Sequence, residues 1–348
     1  MKAIQLLGKE KIQLNELAKP EITEKEVLIK VKAASICGTD VRMYKNGYPS
    51  ASEETPLTLG HEISGDIVEV GDAVNFYKAG MRVAIAPNMG CGICDQCVSG
   101  NTHLCETYEA FGINLPGGFA EYLVIPEKAV RQGNISLIPD ELSYEEAALI
   151  EPFSCVFNGQ EIAGNNPGDN VLIIGSGPIG IMHAMLAKAR GAGKVMMNDL
   201  SEARLADAKQ MIPDLITLTS EDLKEKIFAE TNNQGADLCI IAAPAPQAQE
   251  ASFGYMAMNG RCLFFGGLPK EREEVKLNTN ILHYKQLRVF GCTRASLMGY
   301  RTSAQLVASG RLPLKELIKR RYSIDQFDEA LDNAKNAIGL KNVIVFKE

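Results

Sequence analysis

The chain has 348 residues, of which 46% are hydrophobic and 23% charged, and a chain of this length can bury two hydrophobic cores. With 31 glycines and 15 prolines, the composition excludes a collagen, a coiled coil and a largely disordered chain. The 36 basic and 43 acidic residues give a net charge of −7, which disfavours bulk attraction to nucleic acid or to an anionic membrane. A local basic pocket for a phosphate is compatible with this balance.

The nine cysteines are an odd number, and no signal peptide precedes them. We therefore expect a reducing cytoplasm, in which thiolates serve as metal ligands rather than in disulfides. The opening stretch, interrupted by Lys2, Lys9 and Lys11, is interpreted as an edge strand. Residues 170–187 are uncharged, but the segment is shorter than the roughly 20 apolar residues of a membrane span and has glycine and proline at its centre. It is predicted to be a buried strand that runs into a helix.

Short strands and turns are predicted for the first part of the chain. Residues 27–33 alternate apolar and charged side chains, and residues 63–70 are rich in β-branched types. Turn signals such as NGYP at 46–49 recur between such segments. The pattern predicts a mainly-β domain over residues 1–152.

From residue 153 onward, short apolar strands alternate with helical stretches, which predicts a parallel sheet with helices on both faces over residues 153–292. The predicted strands are 171–175, 194–199, 214–218, 237–242, 260–266 and 287–292. The predicted helices are 179–190, 201–211, 220–230 and 246–258. The last segment, 293–348, is predicted to hold helices at 299–309 and 325–337 and a closing strand at 342–346.

One loop, residues 90–106, carries four cysteines at the spacing of a closed zinc site: Cys91, Cys94, Cys97 and Cys105. Four thiolates occupy all four coordination positions of a tetrahedral zinc ion, so this site is predicted to be structural, with no position for a substrate. An iron–sulfur cluster is compatible with the ligand count, but the spacing matches neither common ferredoxin pattern. His103, inside the loop, is expected to be an exposed residue.

A glycine-rich turn follows the predicted strand 171–175 and opens the next helix; it reads Gly175-Ser176-Gly177-Pro178-Ile179-Gly180. Gly175 permits the tight turn, Gly177 lets a dinucleotide pyrophosphate approach the backbone, and Gly180 lets helix and strand pack closely. Asp199 ends the second strand, where its carboxylate can accept bonds from the adenosine ribose and repel a 2′-phosphate. The sequence therefore predicts NAD binding rather than NADP binding.

Further cofactor contacts are expected around this turn. Pro178 and Ile179 belong to the turn itself, and Gly267 and Leu268 follow a strand at the sheet edge where ligands bind. Arg204 is expected to flank the adenosine or to pair with Asp199.

Three short motifs carry a second set of possible metal ligands: CGTD at 37–40, GHE at 60–62 and EP at 151–152. One soft, one borderline and two hard ligands could form an open zinc site. Spacing alone leaves equally open that these residues are structural, because they are spread over more than a hundred positions.

The whole chain resembles the zinc-dependent medium-chain dehydrogenases, most closely their sorbitol (polyol) dehydrogenase branch. The resemblance rests on motifs in the family's order: CGTD at 37–40, GHE at 60–62, the four-cysteine loop, EP at 151–152, GSGPIG at 175–180, DLSEARL at 199–205 and GLK at 339–341. It implies an α/β architecture in which a GroES-like, mainly-β catalytic domain (1–152) is interrupted by a doubly wound Rossmann domain (153–292). The segment 293–348 would return to the catalytic domain, and a catalytic zinc would lie in the cleft between the domains.

The resemblance also implies roles for individual residues. Cys37 and His61 would bind the catalytic zinc, and either Glu62 or Glu151 would be the third ligand, with the other carboxylate bonding through water and tuning the metal. Thr39 would hydrogen-bond the alkoxide oxygen and pass its proton outward. The expected reaction is oxidation of a secondary hydroxyl of a sugar alcohol to a ketose, with hydride transfer to NAD.

Arg42 departs from the family pattern, because relatives often carry a histidine there. Either the proton relay runs through water and Glu62, or Arg42 binds an anionic substrate, which favours a polyol phosphate such as arabitol or galactitol phosphate. A surface arginine is the third interpretation. L-Threonine 3-dehydrogenase, which shares CGTD and GHE, is a more distant alternative, as is a non-enzymatic protein that keeps the fold. The expected partners are a small-molecule substrate and further copies of the chain, as a homodimer or homotetramer.

Overall fold

The computed structural model describes residues 1–347, which form two compact units. One unit comprises residues 1–154 and the segment from 295 onward, and the other comprises residues 155–294. The strands are β1 Lys2–Gly8, β2 Lys11–Glu16, β3 Val27–Ser35, β4 Leu57–Thr58, β5 Glu62–Val70, β6 Arg82–Ile85, β7 Asn88–Met89, β8 Glu109–Ala110, β9 Tyr122–Ile125, β10 Ile135–Leu137, β11 Asn170–Ile174, β12 Lys194–Asn198, β13 Ile216–Leu218, β14 Ala236–Ile241, β15 Met256–Phe264, β16 Arg288–Gly291, β17 Ile318–Tyr322 and β18 Lys341–Val345.

The α-helices are α1 Gly38–Asn46, α2 Asp95–Val98, α3 Glu127–Gln132, α4 Tyr144–Ala148, α5 Ile150–Ala163, α6 Pro178–Ala189, α7 Glu202–Met211, α8 Leu223–Glu230, α9 Pro246–Ala251, α10 Thr279–Tyr284, α11 Leu297–Ala308 and α12 Phe327–Lys335. Short 3-10 helices lie at Thr102–Leu104, Ser252–Tyr255, Lys270–Arg272, Leu314–Leu317 and Ile324–Gln326.

The first unit is built mainly from β-structure. Its largest sheet has the order β10-β6-β5-β3-β18-β17, with β9 also paired to β3, and a smaller sheet has the order β2-β1-β4. The expectation that the opening strand is an edge strand is wrong, because β1 pairs with β2 on one side and with β4 on the other. The rings of Phe119 and Phe327 pack edge to face in the core, with their centroids 5.0 Å apart. This contact stabilises the packing of the C-terminal segment against the N-terminal part of the unit.

Strand β3 brings distant parts of the chain together within this unit. Its last residue, Ser35, pairs with Glu62 of β5 on one side and with Val343 of β18 on the other. The start of β5 and the start of β18 therefore lie at the same end of the sheet, close to the point where the chain leaves β3 and enters α1.

The second unit is a six-stranded parallel sheet with the order β13-β12-β11-β14-β15-β16, the strand order of a doubly wound dinucleotide fold. The predicted α/β fold class is confirmed. Residues 170–187 form β11 and most of α6, as predicted. Within residues 1–347, no helix is long and apolar enough to cross a membrane.

The predicted helix 246–258 is too long. Helix α9 ends at Ala251, a 3-10 turn follows, and β15 begins at Met256, whose partner in β14 is Ala236. The apolar run before Gly260 fits helix and strand equally well in sequence, and pairing with the neighbouring strand decides the outcome.

Candidate active site and metal centres

Three potential ligands meet at the end of the first unit's large sheet. Cys37 precedes α1, His61 follows Gly60, and Glu62 begins β5; one ligand atom from each lies within 4.8 Å of the others. Gly60 has φ +93°, and a Cβ at this position would lie 2.8 Å from the ring of Phe119, so glycine is required for this turn. Thiolate, imidazole and carboxylate together are the donor set of a zinc site.

Asp40 supports this group from the first turn of α1. Its Oδ2 accepts the backbone N–H of Cys37 at 2.8 Å, and its Oδ1 lies 3.6 Å from Nδ1 of His61. Burial by itself would lower the pKa of His61, but the charges of Asp40 and Cys37 raise that pKa well above its ordinary value. The pocket around His61 is therefore electronegative and favours a cation, and Asp40 acts on the imidazole through its charge, because 3.6 Å is longer than a hydrogen bond.

Lys341 is a member of this site that sequence reasoning missed. Its Nζ donates to both carboxylate oxygens of Glu62, at 2.8 and 2.6 Å, and to the backbone oxygen of Ile36 at 3.3 Å. Burial lowers the pKa of Lys341, but the charge of Glu62 outweighs this effect and raises it. The GLK motif signalled a feature at this position, but it did not reveal a partner 279 residues away.

Glu151 lies outside the 4.8 Å group. It occupies the first turn of α5 and is 7% exposed, and its charge acts on both Lys341 and Tyr300. The structure thus brings Cys37, His61 and Glu62 together and leaves the second candidate carboxylate in the surrounding layer.

Thr39 and Arg42 lie on the first turns of α1. Arg42 Nη2 donates to Thr39 Oγ1 at 2.9 Å; Arg42 is exposed and Thr39 is half-buried. Arg42 has no proton-accepting atom at neutral pH, so Thr39 cannot pass a proton to it.

The four cysteines of the loop 90–106 converge, with ligand atoms within 4.8 Å of one another. The Sγ atoms of Cys91 and Cys97 are 4.0 Å apart, and those of Cys94 and Cys105 are 3.9 Å apart. Hydrogen bonds from Thr107 and from the N–H of Cys91 lower the pKa of Cys105 to about 6, whereas burial raises the pKa of Cys97 to about 11, so Cys105 is the readier of the two to become the thiolate that a metal needs.

The rest of this loop fits a closed metal centre with one correction. At Gly90, a Cβ would lie 2.4 Å from Cys97 Sγ, so the chain can pass this close to the cluster only with glycine. His103, expected to be exposed, is 3% exposed, because the 3-10 turn Thr102–Leu104 folds it inward. It does not belong to the four-sulfur group.

The glycine-rich turn of the second unit has the geometry of a dinucleotide cradle. Gly175 has φ +109°, a conformation that favours glycine. A Cβ on Gly180 would lie 1.9 Å from the Gly175 oxygen, so α6 can pack this closely against the end of β11 only if residue 180 is glycine. Gly177 caps α6, and a Cβ there would meet nothing within 4 Å. Space for an anionic group is therefore left at the N-terminus of α6, the helix that starts with Pro178 and Ile179.

Asp199 is held beside this turn. Its two oxygens accept the backbone N–H groups of Ser176 at 2.8 Å and Ser201 at 2.9 Å. Partial burial tends to raise the pKa of Asp199, but these hydrogen bonds, with a smaller contribution from Arg204, lower it. The carboxylate therefore carries its negative charge at neutral pH, and Arg204 acts on it electrostatically.

Gly267 and Leu268 follow the end of β15. Gly267 is exposed with no atom near its Cβ position, and Leu268 is half-buried. Both lie after the carboxyl end of a parallel strand, the side of such sheets on which cofactors bind.

The folds and ligand groups define a zinc-binding, dinucleotide-dependent oxidoreductase. Two family models match the chain: the alcohol dehydrogenase GroES-like domain over residues 23–136 and the zinc-binding dehydrogenase over residues 178–309. The chain belongs to the zinc-dependent medium-chain dehydrogenases, and the family predicted from its motifs is confirmed.

Curated relatives and solved structures cover nearly the whole chain. Sorbitol dehydrogenase from Bacillus subtilis (strain 168) is 36% identical, over 96% of this chain and 93% of its own. L-Threonine 3-dehydrogenase from Yersinia enterocolitica is 33% identical, over 95% of this chain and 96% of its own. A putative zinc-binding dehydrogenase from Sinorhizobium meliloti 1021, solved with NADP, is 30% identical with a TM-score of 0.90, over 99% of both chains. The likenesses therefore span more than one substrate class.

Proposed function

We propose that this protein oxidises a secondary hydroxyl of a sugar alcohol to a ketone and transfers the hydride to NAD. The observation that carries the proposal is the group of Cys37, His61 and Glu62, whose ligand atoms lie within 4.8 Å of one another. The 36% identity to a sorbitol dehydrogenase supports the choice of polyol.

The donor set fits zinc, and we assign its three protein ligands to Cys37, His61 and Glu62. Zinc bound there supplies a Lewis acid that lowers the pKa of the substrate hydroxyl. Lys341 fixes the Glu62 carboxylate and offsets part of its charge. Glu151, outside the 4.8 Å group, is assigned a water-mediated role.

Thr39 is assigned the hydrogen bond to the reacting oxygen. Its Oγ1 already accepts from Arg42, so its own proton is free to be donated to that oxygen. The proton that the substrate hydroxyl loses passes to water, because the side chain of Arg42 cannot accept it.

We assign the cofactor to NAD. Asp199 presents a carboxylate, held by two backbone N–H groups, where a ribose hydroxyl would bind and a 2′-phosphate would be repelled. The pyrophosphate is assigned to the open space at Gly177. Contacts from Gly175, Pro178, Ile179, Gly180, Arg204, Gly267 and Leu268 complete the proposed cofactor site.

A second, structural zinc is assigned to the four cysteines of the loop 90–106, because all four sulfurs are required to close the coordination shell. All nine cysteines are free thiols, which suits a reducing compartment, and we propose the cytoplasm.

Self-association through β16 is part of the proposal. Among the described residues 1–347, this strand ends the parallel sheet and pairs only with β15, while Val289 on it is 39% exposed and Tyr284 before it is 75% exposed. An unprotected edge strand next to exposed apolar side chains is suited to pairing with a second copy. We therefore propose a homodimer or homotetramer.

The test is NADH formation with sorbitol, xylitol, arabitol, galactitol and L-threonine at equal concentrations. The proposal predicts that at least one polyol is oxidised with a higher kcat/KM than threonine. A preference for threonine, or the absence of NAD reduction with every polyol, would overturn it.

A further inference from the structure

Arg42 carries an unpaired positive charge next to Thr39, the residue assigned to the reacting oxygen. Its Nη2 donates to Thr39 Oγ1 at 2.9 Å, and the side chain is otherwise exposed. In the part of the chain that the structure describes, no carboxylate pairs with this guanidinium. A guanidinium has five N–H donors, so most of its hydrogen-bonding capacity faces outward beside Thr39.

Three other arginines of this protein show the more usual pairing with a carboxylate. Arg190 pairs with Glu161, Arg261 with Asp169 and Arg321 with Glu145, each within its own unit. Arg42, by contrast, donates one N–H to the hydroxyl of Thr39, which does not neutralise the charge of the guanidinium.

The position of Arg42 limits what it can recognise. A hydrogen bond from Thr39 to the reacting oxygen is about 2.7 Å long, and Arg42 Nη2 lies 2.9 Å beyond Thr39 Oγ1. The guanidinium donors are therefore within about 5–6 Å of the reacting oxygen. An anionic group on the carbon next to the reacting carbon, or one bond further, can reach them.

We infer that Arg42 is a specificity-determining residue that selects alcohols carrying a phosphate ester or a carboxylate close to the reacting hydroxyl. Both groups present planar or trigonal arrays of oxygen atoms that a guanidinium binds with two parallel hydrogen bonds. The inference rests on the proposed function, because it takes Thr39 to contact the reacting oxygen.

The experiment compares matched substrates that differ in the anionic group: galactitol 1-phosphate against galactitol, and L-threonine against L-threoninamide. We expect the parent enzyme to favour the anionic member of one pair by about 10- to 100-fold in kcat/KM, the factor of a charge-assisted hydrogen-bond pair. The pair that shows this preference identifies the source of the anion as a phosphate ester or a carboxylate.

Three variants separate recognition from structural support. Arg42→Gln is expected to lower kcat/KM by about 10- to 100-fold more for the anionic member of the pair than for the neutral member, because both share any effect on Thr39, and Arg42→Lys is expected to retain part of the preference because the charge remains. Lys45→Gln, which removes an exposed charge from the same helix, is the matched control and is expected to leave the ratio unchanged.

Two outcomes overturn the inference while leaving the proposed function intact. One is a parent enzyme with equal kcat/KM within both pairs; the other is an Arg42→Gln variant that loses the same factor on anionic and neutral substrates. If the parent oxidises none of these four compounds, Arg42 is tested by titrating galactitol 1-phosphate and L-threonine into the zinc- and NADH-loaded protein; the proposed function fails only if sorbitol, xylitol and arabitol are not oxidised either. A Kd that is the same for parent and Arg42→Gln with both compounds would then overturn the inference as well.

Discussion

Lys341 Nζ lies 2.8 Å from one carboxylate oxygen of Glu62 and 2.6 Å from the other, and both side chains are buried. The two residues are 279 positions apart and meet because β18 and β5 flank the same end of β3. A buried carboxylate needs a compensating charge, and a metal is the second cation that this pocket is suited to accept. Through this ion pair, strand β18 positions a carboxylate that is proposed to bind the metal.

Replacing Lys341 with methionine is expected to leave the Glu62 carboxylate buried without a partner. Loss of one partner of a buried pair costs about 3–5 kcal/mol in the free energy of unfolding, measurable by urea denaturation in a Cys37→Ser background, which is expected to keep the structural zinc and to lack the zinc that would otherwise bind Glu62. The double variant Lys341→Met/Glu62→Gln should recover at least half of the loss, because it removes the uncompensated charge. A loss below about 1 kcal/mol in the single variant would show that the pair is dispensable.

His183 is expected to make stability depend on pH. It is fully buried on α6, where Gln160 Nε2 donates to its Nδ1 at 3.2 Å and the ring packs edge to face on Phe265. Burial lowers the pKa of His183 to about 3, below the value of about 6.5 in an unfolded chain. As pH falls, the unfolded state therefore takes up the proton first. The stabilisation is complete above about pH 6.5 and is lost between there and about pH 3.

The measurement is urea unfolding between pH 7 and pH 4.5 for the parent and for His183→Gln. The parent should lose up to about 1.4 kcal/mol per pH unit more than the variant. His283→Gln, at an exposed histidine, is the matched control and should follow the parent. Parallel curves for the parent and His183→Gln would contradict the prediction.

Removing the Asp199 carboxylate is expected to relax cofactor choice. Asp199→Ala takes away a ribose hydrogen-bond acceptor and the charge that repels a 2′-phosphate, so the NADP/NAD ratio of kcat/KM should rise by about 10-fold. Asp207→Ala, at an exposed acid on the nearby helix α7, should leave the ratio unchanged. An unchanged ratio in Asp199→Ala would remove this residue from the ribose contact.

Most of the fold could be predicted from the sequence because the patterns that indicate strands, helices and turns are local. The motif Gly175–Gly180 predicts the strand before it, the helix after it and the end of the sheet that binds a ligand. The four cysteines are close in sequence, so a single loop is enough to bring them together. Signals that depend on tertiary pairing were less readable. The start of β15 at Met256 is decided by pairing with Ala236, and the inward turn of His103 is decided by the surrounding loop.

The active-site group shows the same division. Its residue types were readable from CGTD, GHE and EP, but their spacing did not say which carboxylate joins Cys37 and His61. The structure brings in Glu62 and leaves Glu151 outside, and it adds Lys341, whose importance depends on its contact with Glu62, 279 residues earlier in the chain. No periodicity or local motif encodes such a contact.

Cys37, His61 and Glu62 are proposed to hold the metal that activates the substrate. The most direct measurement is zinc content together with NADH formation from the best polyol, for the parent, for Cys37→Ser and for Cys292→Ser, a control at a cysteine outside both ligand groups. The account predicts two zinc ions per chain in the parent and the control, and one in Cys37→Ser, with turnover lost and NAD binding retained. Retention of two zinc ions or of turnover in Cys37→Ser would contradict it.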